Sequence, residues 1–144
     1  MVRVFDIETD GLDPTLIHVL SWQDWPNGEV QSTFDYEEMR KLLTDGSTLC
    51  GHNIIRYDIP AVEKILGIKV TARLIDTLGL SWYVNHHMMR HGLAEYGELY
   101  GIPKPKIDDW EGLTPEEYQH RCEEDVKINS RVYRDIRIKL NRLY

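Results

Sequence analysis

The arrangement that most constrains the fold of this chain is a pair of carboxylates on one face of a strand near its N-terminus. In Val2-Arg3-Val4-Phe5-Asp6-Ile7-Glu8-Thr9-Asp10-Gly11-Leu12 the β-forming Val2, Val4 and Phe5 run into a glycine-containing turn. That is the pattern of a short buried strand. Residues two apart on a strand share a face, so Asp6 and Glu8 stand side by side at the strand's end. Adjacent carboxylates repel, and an oxygen-only cluster is ordinarily neutralised by hard divalent cations such as Mg²⁺ or Mn²⁺. An Asp and a Glu at an exposed strand end can also stand there with no task, so the metal reading depends on further acids elsewhere.

The 144 residues, 42% of them hydrophobic, suffice for one compact domain that buries about two-thirds of its unfolded surface. Residues 1–144 are therefore expected to form a single domain. A net charge of −7 argues against a general nucleic-acid coat protein or an anionic-membrane binder, both of which need a basic surface. It does not exclude a nuclease, because an acidic site that recruits metal ions can still receive phosphate. Cys50 and Cys122 lie far apart and outside any C-x-x-C pattern, which suits a reducing compartment and gives no sign of zinc. The cytoplasm is the expected location. Arg3 and Asp6 interrupt the apolar N-terminus and no run reaches 18 apolar residues, so neither a signal peptide nor a membrane span is expected.

Along the chain, Leu16 to Trp22 reads as a second strand between Pro14 and the Pro26-Asn27-Gly28 turn, hairpinned to a third near Glu29 to Phe34. Tyr36 to Asp45 switches to helical spacing, with Gly46 as a stop. A short strand at Thr48-Leu49-Cys50 leads into Gly51-His52-Asn53-Ile54-Ile55-Arg56-Tyr57-Asp58-Ile59-Pro60. Proline is tolerated in a helix's first turn, which predicts a helix beginning near Arg56 to Asp58 and ending at Gly67. Asp58 would then lie near the positive end of the helix dipole, able to face the first strand. Leu74 to Leu78 reads as a strand running into a helix through Tyr83, and His91 to Tyr100 as another helix. Lys104 to Gly112 reads as a surface loop. Thr114-Pro115-Glu116-Glu117 carries an N-cap, a proline and a capping-box glutamate in order. The helix it opens keeps an apolar stripe from Tyr118 to Leu143, with Asp125 at the stripe's border. A carboxylate set so close to a core-facing stripe requires a partner.

Asp6, Glu8, Asp58 and Asp125 thus sit on a strand end, a helix start and a long last helix, in a chain whose element order suggests a mixed sheet flanked by helices. With these motifs the sequence resembles the DEDD superfamily of 3′-to-5′ exonucleases. Phe5-Asp6-Ile7-Glu8-Thr9-Asp10-Gly11-Leu12 matches the first family motif, Asn53-Ile54-Ile55-Arg56-Tyr57-Asp58 the second and Cys122-Glu123-Glu124-Asp125-Val126 the core of the third. Asp76-Thr77-Leu78 and Gly92-Leu93-Ala94-Glu95-Tyr96-Gly97 are further similar to segments of the proofreading exonuclease domains of phage family-A DNA polymerases. The resemblance implies an α/β, ribonuclease-H-like mixed β-sheet flanked by α-helices. It also implies two divalent metal ions, Mg²⁺ or Mn²⁺, and a single-stranded DNA 3′ end as substrate, RNA being less expected. A DNA polymerase or replication partner, and the host cytoplasm if the chain is phage-encoded, follow from the same resemblance.

One motif position departs from the polymerase branch, whose tyrosine four residues before the last aspartate is Arg121 here. His120-Arg121-Cys122-Glu123-Glu124-Asp125 instead fits the H-x-x-x-x-D pattern of another branch. Phosphodiester hydrolysis needs an attacking hydroxide and a stabilised leaving oxygen, which two metals about 3.5 to 4 Å apart supply. The resemblance implies that Asp6, Glu8 and Asp125 hold one ion, that Asp6 shares the other, and that Asp58 acts mostly through water. His120, with an ordinary pKa of about 6.5, would accept the proton of the attacking water. At about 100° per residue, however, five positions place His120 roughly 140° around a straight helix from Asp125, so the segment must bend or the side chain swing in. Tyr118 is the rival base, and Arg121 could contact phosphate.

Thr9, Gly11 and Leu12 occupy positions where family members grip the terminal nucleotide, though an ordinary turn would use the same residues. Asn53 and Tyr57 serve as substrate contacts or as structural groups equally well. His87 and His91, one helical turn apart beside His86, lack an acid or cysteine partner for a structural zinc. Arg90, Lys104 and Lys106 are candidates for the substrate backbone, and a solvated loop explains them nearly as well. Against the exonuclease stands a non-catalytic nucleic-acid-binding or polymerase-accessory module, which would have no use for the acid quartet. A proofreading domain of a larger polymerase chain is the third possibility. Met1 lying five residues before Asp6 suits a natural N-terminus, while the helix at Tyr144 leaves the other end open.

Overall fold

The alternation read in the first strand is what builds the layers of the molecule. A computed structural model describes residues 1–102 and 113–143; the expected loop at Lys104–Gly112, with Lys104 and Lys106, lies outside the described residues. Strand β1 (Val2–Thr9) lies at the centre of a five-stranded sheet with β2 (Ile17–Trp25), β3 (Gln31–Thr33), β4 (Thr48–Gly51) and β5 (Leu74–Asp76), in the order β3-β2-β1-β4-β5. β1 pairs antiparallel with β2 and parallel with β4, β2 antiparallel with β3, and β4 parallel with β5, so the sheet is mixed as expected.

Phe5 and Ile7 point to one face, where Leu20, Trp22 and Leu49 join them. Met39 and Leu43 of α1 (Tyr36–Thr44) and Ile59, Val62 and Leu66 of α2 (Ile59–Leu66) close that core. Val4 points to the other face, against Val126 and Tyr133 of α5 (Pro115–Leu143). Between α2 and α5 in sequence come α3 (Thr77–Val84) and α4 (Leu93–Tyr100), and Leu80, Val84, Tyr96 and Tyr100 pack on Ile128, Val132 and Ile136 of α5. Asp6 and Glu8, in phase with Val4, therefore open toward α5. Arg3, in phase with Phe5, is buried but not stranded: it donates to Asp24 at 2.8 Å, to the carbonyl of Leu42 at 2.7 Å and to Asp45 at 2.6 Å. That trio ties β1 to β2 and to the end of α1.

Four boundaries differ from the sequence reading. β2 runs on to Trp25 because Val2 and Arg3 supply partners for Trp25 and Asp24, and β3 is correspondingly brief. α4 begins at Leu93, two residues beyond His91. α5, as expected, is one long helix, of 29 residues. At its start Thr114 Oγ1 accepts from Glu117 N–H at 3.2 Å and Glu117 Oε1 accepts from Thr114 N–H at 3.4 Å, the reciprocal capping box. The fourth difference bears on the site. The helix expected from Arg56 begins instead with a π-helical turn at Ile54–Asp58 that runs straight into α2. Asp58 therefore lies inside a helical segment, a full turn from its N-terminus, and has no exposed dipole end beside it.

Candidate metal centre and substrate cleft

Three of the four expected acids converge. Carboxylate oxygens of Asp6, Glu8 and Asp125 all lie within 4.8 Å of one another. β1 supplies the first two through its two-residue period, and α5 crosses over that strand end to supply the third from its sheet-facing side. At such separations two carboxylates repel by about 3 kcal/mol in a medium of effective dielectric near 20. Arg121 brings a single positive charge, its Nε 3.4 Å from Oε1 of Glu8. The all-oxygen donor set of this trio suits a hard divalent ion.

Asp58 is the buried neighbour of this cluster. Burial raises its pKa well above the ordinary carboxyl value, and the charges of Asp76, Glu8 and Asp125 push it further in the same direction. It stands outside the close trio.

A cleft of about 710 Å³ opens at the end of β1, lined by Glu8, Thr9, Asp10, Gly11, Leu12, His18, Tyr57 and Tyr118. Tyr57 OH donates to the carbonyl of Gly11 at 2.5 Å and lies 2.5 Å from Thr9 Oγ1, so the second motif holds the turn of the first. Gly11 adopts φ +151, a conformation that side chains rarely take, and Leu12 projects into solvent above the cleft with 95% of its surface exposed. Asp10 fixes the far side of the turn by accepting from the N–H groups of Thr15 at 2.8 Å and Leu16 at 3.1 Å. Those bonds, with one from the Thr15 hydroxyl, draw the Asp10 pKa down to about 2.

His120 does not join this cleft. On an unbroken α5 it falls on the exposed side of the helix, as five positions at about 100° each require. Tyr118 does line the cleft, and its ring stacks on His18 at 4.0 Å. His18 was not singled out from the sequence. The β1–β2 register skips there, with Glu8 opposite Val19 but Thr9 opposite Ile17, and the extra residue turns toward α5. Burial holds the His18 imidazole below its ordinary pKa, against an opposing pull from Asp10.

Asp76 is the second residue missed. Its Oδ1 accepts from Asn53 N–H at 2.9 Å and from Leu78 N–H at 3.0 Å, and its Oδ2 from Ile55 N–H at 3.1 Å. One carboxylate thus caps both α3 and the π-helical turn that carries Asp58. The Asp-Thr pair at a strand-to-helix junction was the available signal. Asn53 itself sits at φ +64, a left-handed position that asparagine tolerates, so a backbone reason for it stands beside any contact with substrate. His91 is buried, with Nδ1 2.5 Å from Ser81 Oγ and Nε2 3.0 Å from the Met88 carbonyl. His87 precedes α4 and does not share a helix with His91. Arg90 is exposed on the stretch before α4, beside Met89, Glu95 and Leu99.

The strand order is that of a ribonuclease-H-like α/β fold, with the acid trio at the end of its central strand. Solved structures share that architecture. Brucella melitensis NrnC bound to pGG superposes with a TM-score of 0.77 at 22% identity, over 98% of this chain and 74% of that one. The same protein with bound Mg²⁺ gives 0.77 at 23% identity over the same shares. Exonuclease X in complex with 5′ overhanging duplex DNA gives 0.58 at 14% identity, over 90% of each chain. Identities this low establish the fold alone. No protein-family model and no curated protein matches the chain by sequence. Among the described residues no helix is long and apolar enough to cross a membrane.

Proposed function

We propose that the chain is a metal-dependent exonuclease that removes nucleotides one at a time from the 3′ end of single-stranded nucleic acid. The observation that carries this reading is the trio of Asp6, Glu8 and Asp125, of which Glu8 lines a cleft of about 710 Å³. Two divalent ions, Mg²⁺ or Mn²⁺, supply an activated water and neutralise the leaving oxygen when bound. Asp6, Glu8 and Asp125 hold one of them, Asp6 shares the other, and Asp58 acts from behind through water. Thr9, Gly11 and the exposed Leu12 receive the terminal nucleotide, with Tyr57 bracing that turn, Asn53 a further substrate contact and Arg121 available to a phosphate once released from Glu8.

His120 is the proposed proton acceptor, reached by a rearrangement of the first turns of α5 on substrate binding; catalytic contacts often tighten only in the complex. Tyr118, already in the cleft, is the alternative that its position favours. DNA is the proposed substrate and RNA the secondary one. NrnC bound to pGG and Exonuclease X bound to an overhanging duplex support a free nucleic-acid end as the ligand. A polymerase or other replication protein is the proposed partner. A purely binding module is disfavoured by the acid trio, which would only repel a phosphate backbone unless metal is bound.

The test is a time course on 5′-labelled single-stranded DNA and RNA of one sequence, with Mg²⁺, Mn²⁺ or EDTA. A ladder that shortens from the 3′ end and stops with EDTA is the expected result, faster on DNA. No cleavage of either strand by the folded protein overturns the proposal.

A further inference from the structure

We propose that Cys122 is a positioning residue that aims the Asp6 carboxylate at the metal cluster, as the inner end of a hydrogen-bonded row that starts at Glu123. The inference rests on the metal-dependent reading of the site. Asp6 on β1 lies opposite Ser21 on β2, and Ser21 lies opposite Ser32 on β3, so these side chains form one row across the sheet under α5. Ser32 Oγ donates to Glu123 Oε2 at 2.6 Å, Ser21 Oγ lies 2.7 Å from Ser32 Oγ, and Cys122 Sγ donates to Asp6 at 3.2 Å from its carbonyl and 3.6 Å from its Oδ2.

The direction of the row follows from counting protons. An ionised carboxylate only accepts, and a hydroxyl has one proton to give. Ser32 gives its proton outward to Glu123, so Ser21 gives its own to Ser32 and has none left for Cys122 or Asp6. The thiol proton of Cys122 then has three acceptors in reach, Ser21 Oγ, the Asp6 carbonyl and Asp6 Oδ2, two of them on Asp6. Ser21 and Cys122 are both sealed from solvent, so water does not compete for these bonds. Packing alone, against Val19 and Tyr118, would ask only for a small apolar side chain. It would not ask for a donor within reach of two oxygens of one metal-binding residue. A thiol is a weak donor: it fixes the carboxylate's orientation yet yields when an ion takes the same oxygen.

The experiment is calorimetric titration of the full chain with Mg²⁺ and Mn²⁺, for wild type, Cys122→Ala and Cys122→Ser, alongside metal-free melting and substrate KM at saturating metal. Cys122→Ala is expected to weaken metal binding about tenfold, the low end for losing a partner behind a metal ligand, with KM unchanged. Cys122→Ser, which keeps a donor, restores most of that loss. Wild-type affinity in Cys122→Ala overturns the inference, and so does a serine variant as weak as the alanine one. Infrared spectroscopy of the wild type needs no destabilised variant: the Cys122 S–H band should move on adding Mg²⁺ while the Cys50 band stays, with Cys50→Ser assigning the two. A stationary Cys122 band in metal-loaded protein overturns the inference alone. A folded wild type that binds neither ion and cleaves nothing overturns the reading of the site and this inference with it.

Discussion

Nε of Arg121 lies 3.4 Å from Oε1 of Glu8, and both side chains are largely buried. A cation of the protein thus shares a carboxylate with the ion expected there, and the two compete. Arg121→Ala should tighten Mg²⁺ binding at least about twofold to fivefold, since even an exposed pair is worth up to about 1 kcal/mol. The same variant should raise KM for an oligonucleotide if Arg121 makes the proposed phosphate contact. Calorimetry and steady-state kinetics separate the two effects, and weaker Mg²⁺ binding would show that Arg121 supports the site without competing for it.

Asp6→Ala removes the carboxylate that the reading gives to both ions, and it relieves repulsion within the trio. Hydrolysis should disappear while the melting temperature of the metal-free protein stays level or rises. Near wild-type cleavage by this variant is incompatible with the two-metal reading.

How much of this was legible in the sequence depends on how local each cause is. The strand period put Asp6 and Glu8 on one face, and the capping box at Thr114 and Glu117 fixed the start of α5, since both arise within a few residues. The arrival of Asp125 beside them followed from its place at the edge of an apolar stripe. Three other features depend on cross-strand register or on segments far apart in sequence, and no local pattern encodes them. They are the bulge that turns His18 toward Tyr118, the pairing of Arg121 with Glu8, and the capping of Asn53 and Ile55 by Asp76. The π-helical turn at Ile54–Asp58 escaped for a related reason: Pro60 marks the first turn of a helix equally well whether or not a wider turn precedes it.

Asp76→Ala leaves three N–H groups, those of Asn53, Ile55 and Leu78, without their carboxylate. Loss of a helix cap costs about 1 kcal/mol and two segments share this one, so a destabilisation of about 2 kcal/mol is expected. Because the π-helical turn carries Asp58, activity at saturating metal should fall as well. Chemical denaturation measures the first effect, and a variant as stable as wild type would contradict the double cap.

His120 and Tyr118 make opposite forecasts. If His120 takes the proton, His120→Ala lowers kcat by roughly 10² to 10⁴ at neutral pH and Tyr118→Phe does little. If Tyr118→Phe carries the loss instead, the residue already in the cleft is the base and α5 need not rearrange.

Asp58 gives the pH dependence of the metal-free protein its sign. Its folded pKa is raised above the ordinary 3.8 by burial first and by Asp76, Glu8 and Asp125 next. A raised carboxyl contributes stability that is fully present below the unfolded value, near pH 4, and is lost as pH rises through the folded value. Asp58→Asn cannot ionise, so in EDTA its melting temperature should match wild type near pH 4 and exceed it increasingly above that. A gap of about 4 °C at pH 8 corresponds to about 1 kcal/mol in a domain of this size. Saturating Mg²⁺ should narrow or reverse the gap, because an ion in the trio favours the Asp58 carboxylate that the variant lacks. Melting curves at four or five pH values, with and without Mg²⁺, decide it. A gap that is widest at acid pH would mean that Asp58 is held as a carboxylate by partners stronger than its three acidic neighbours.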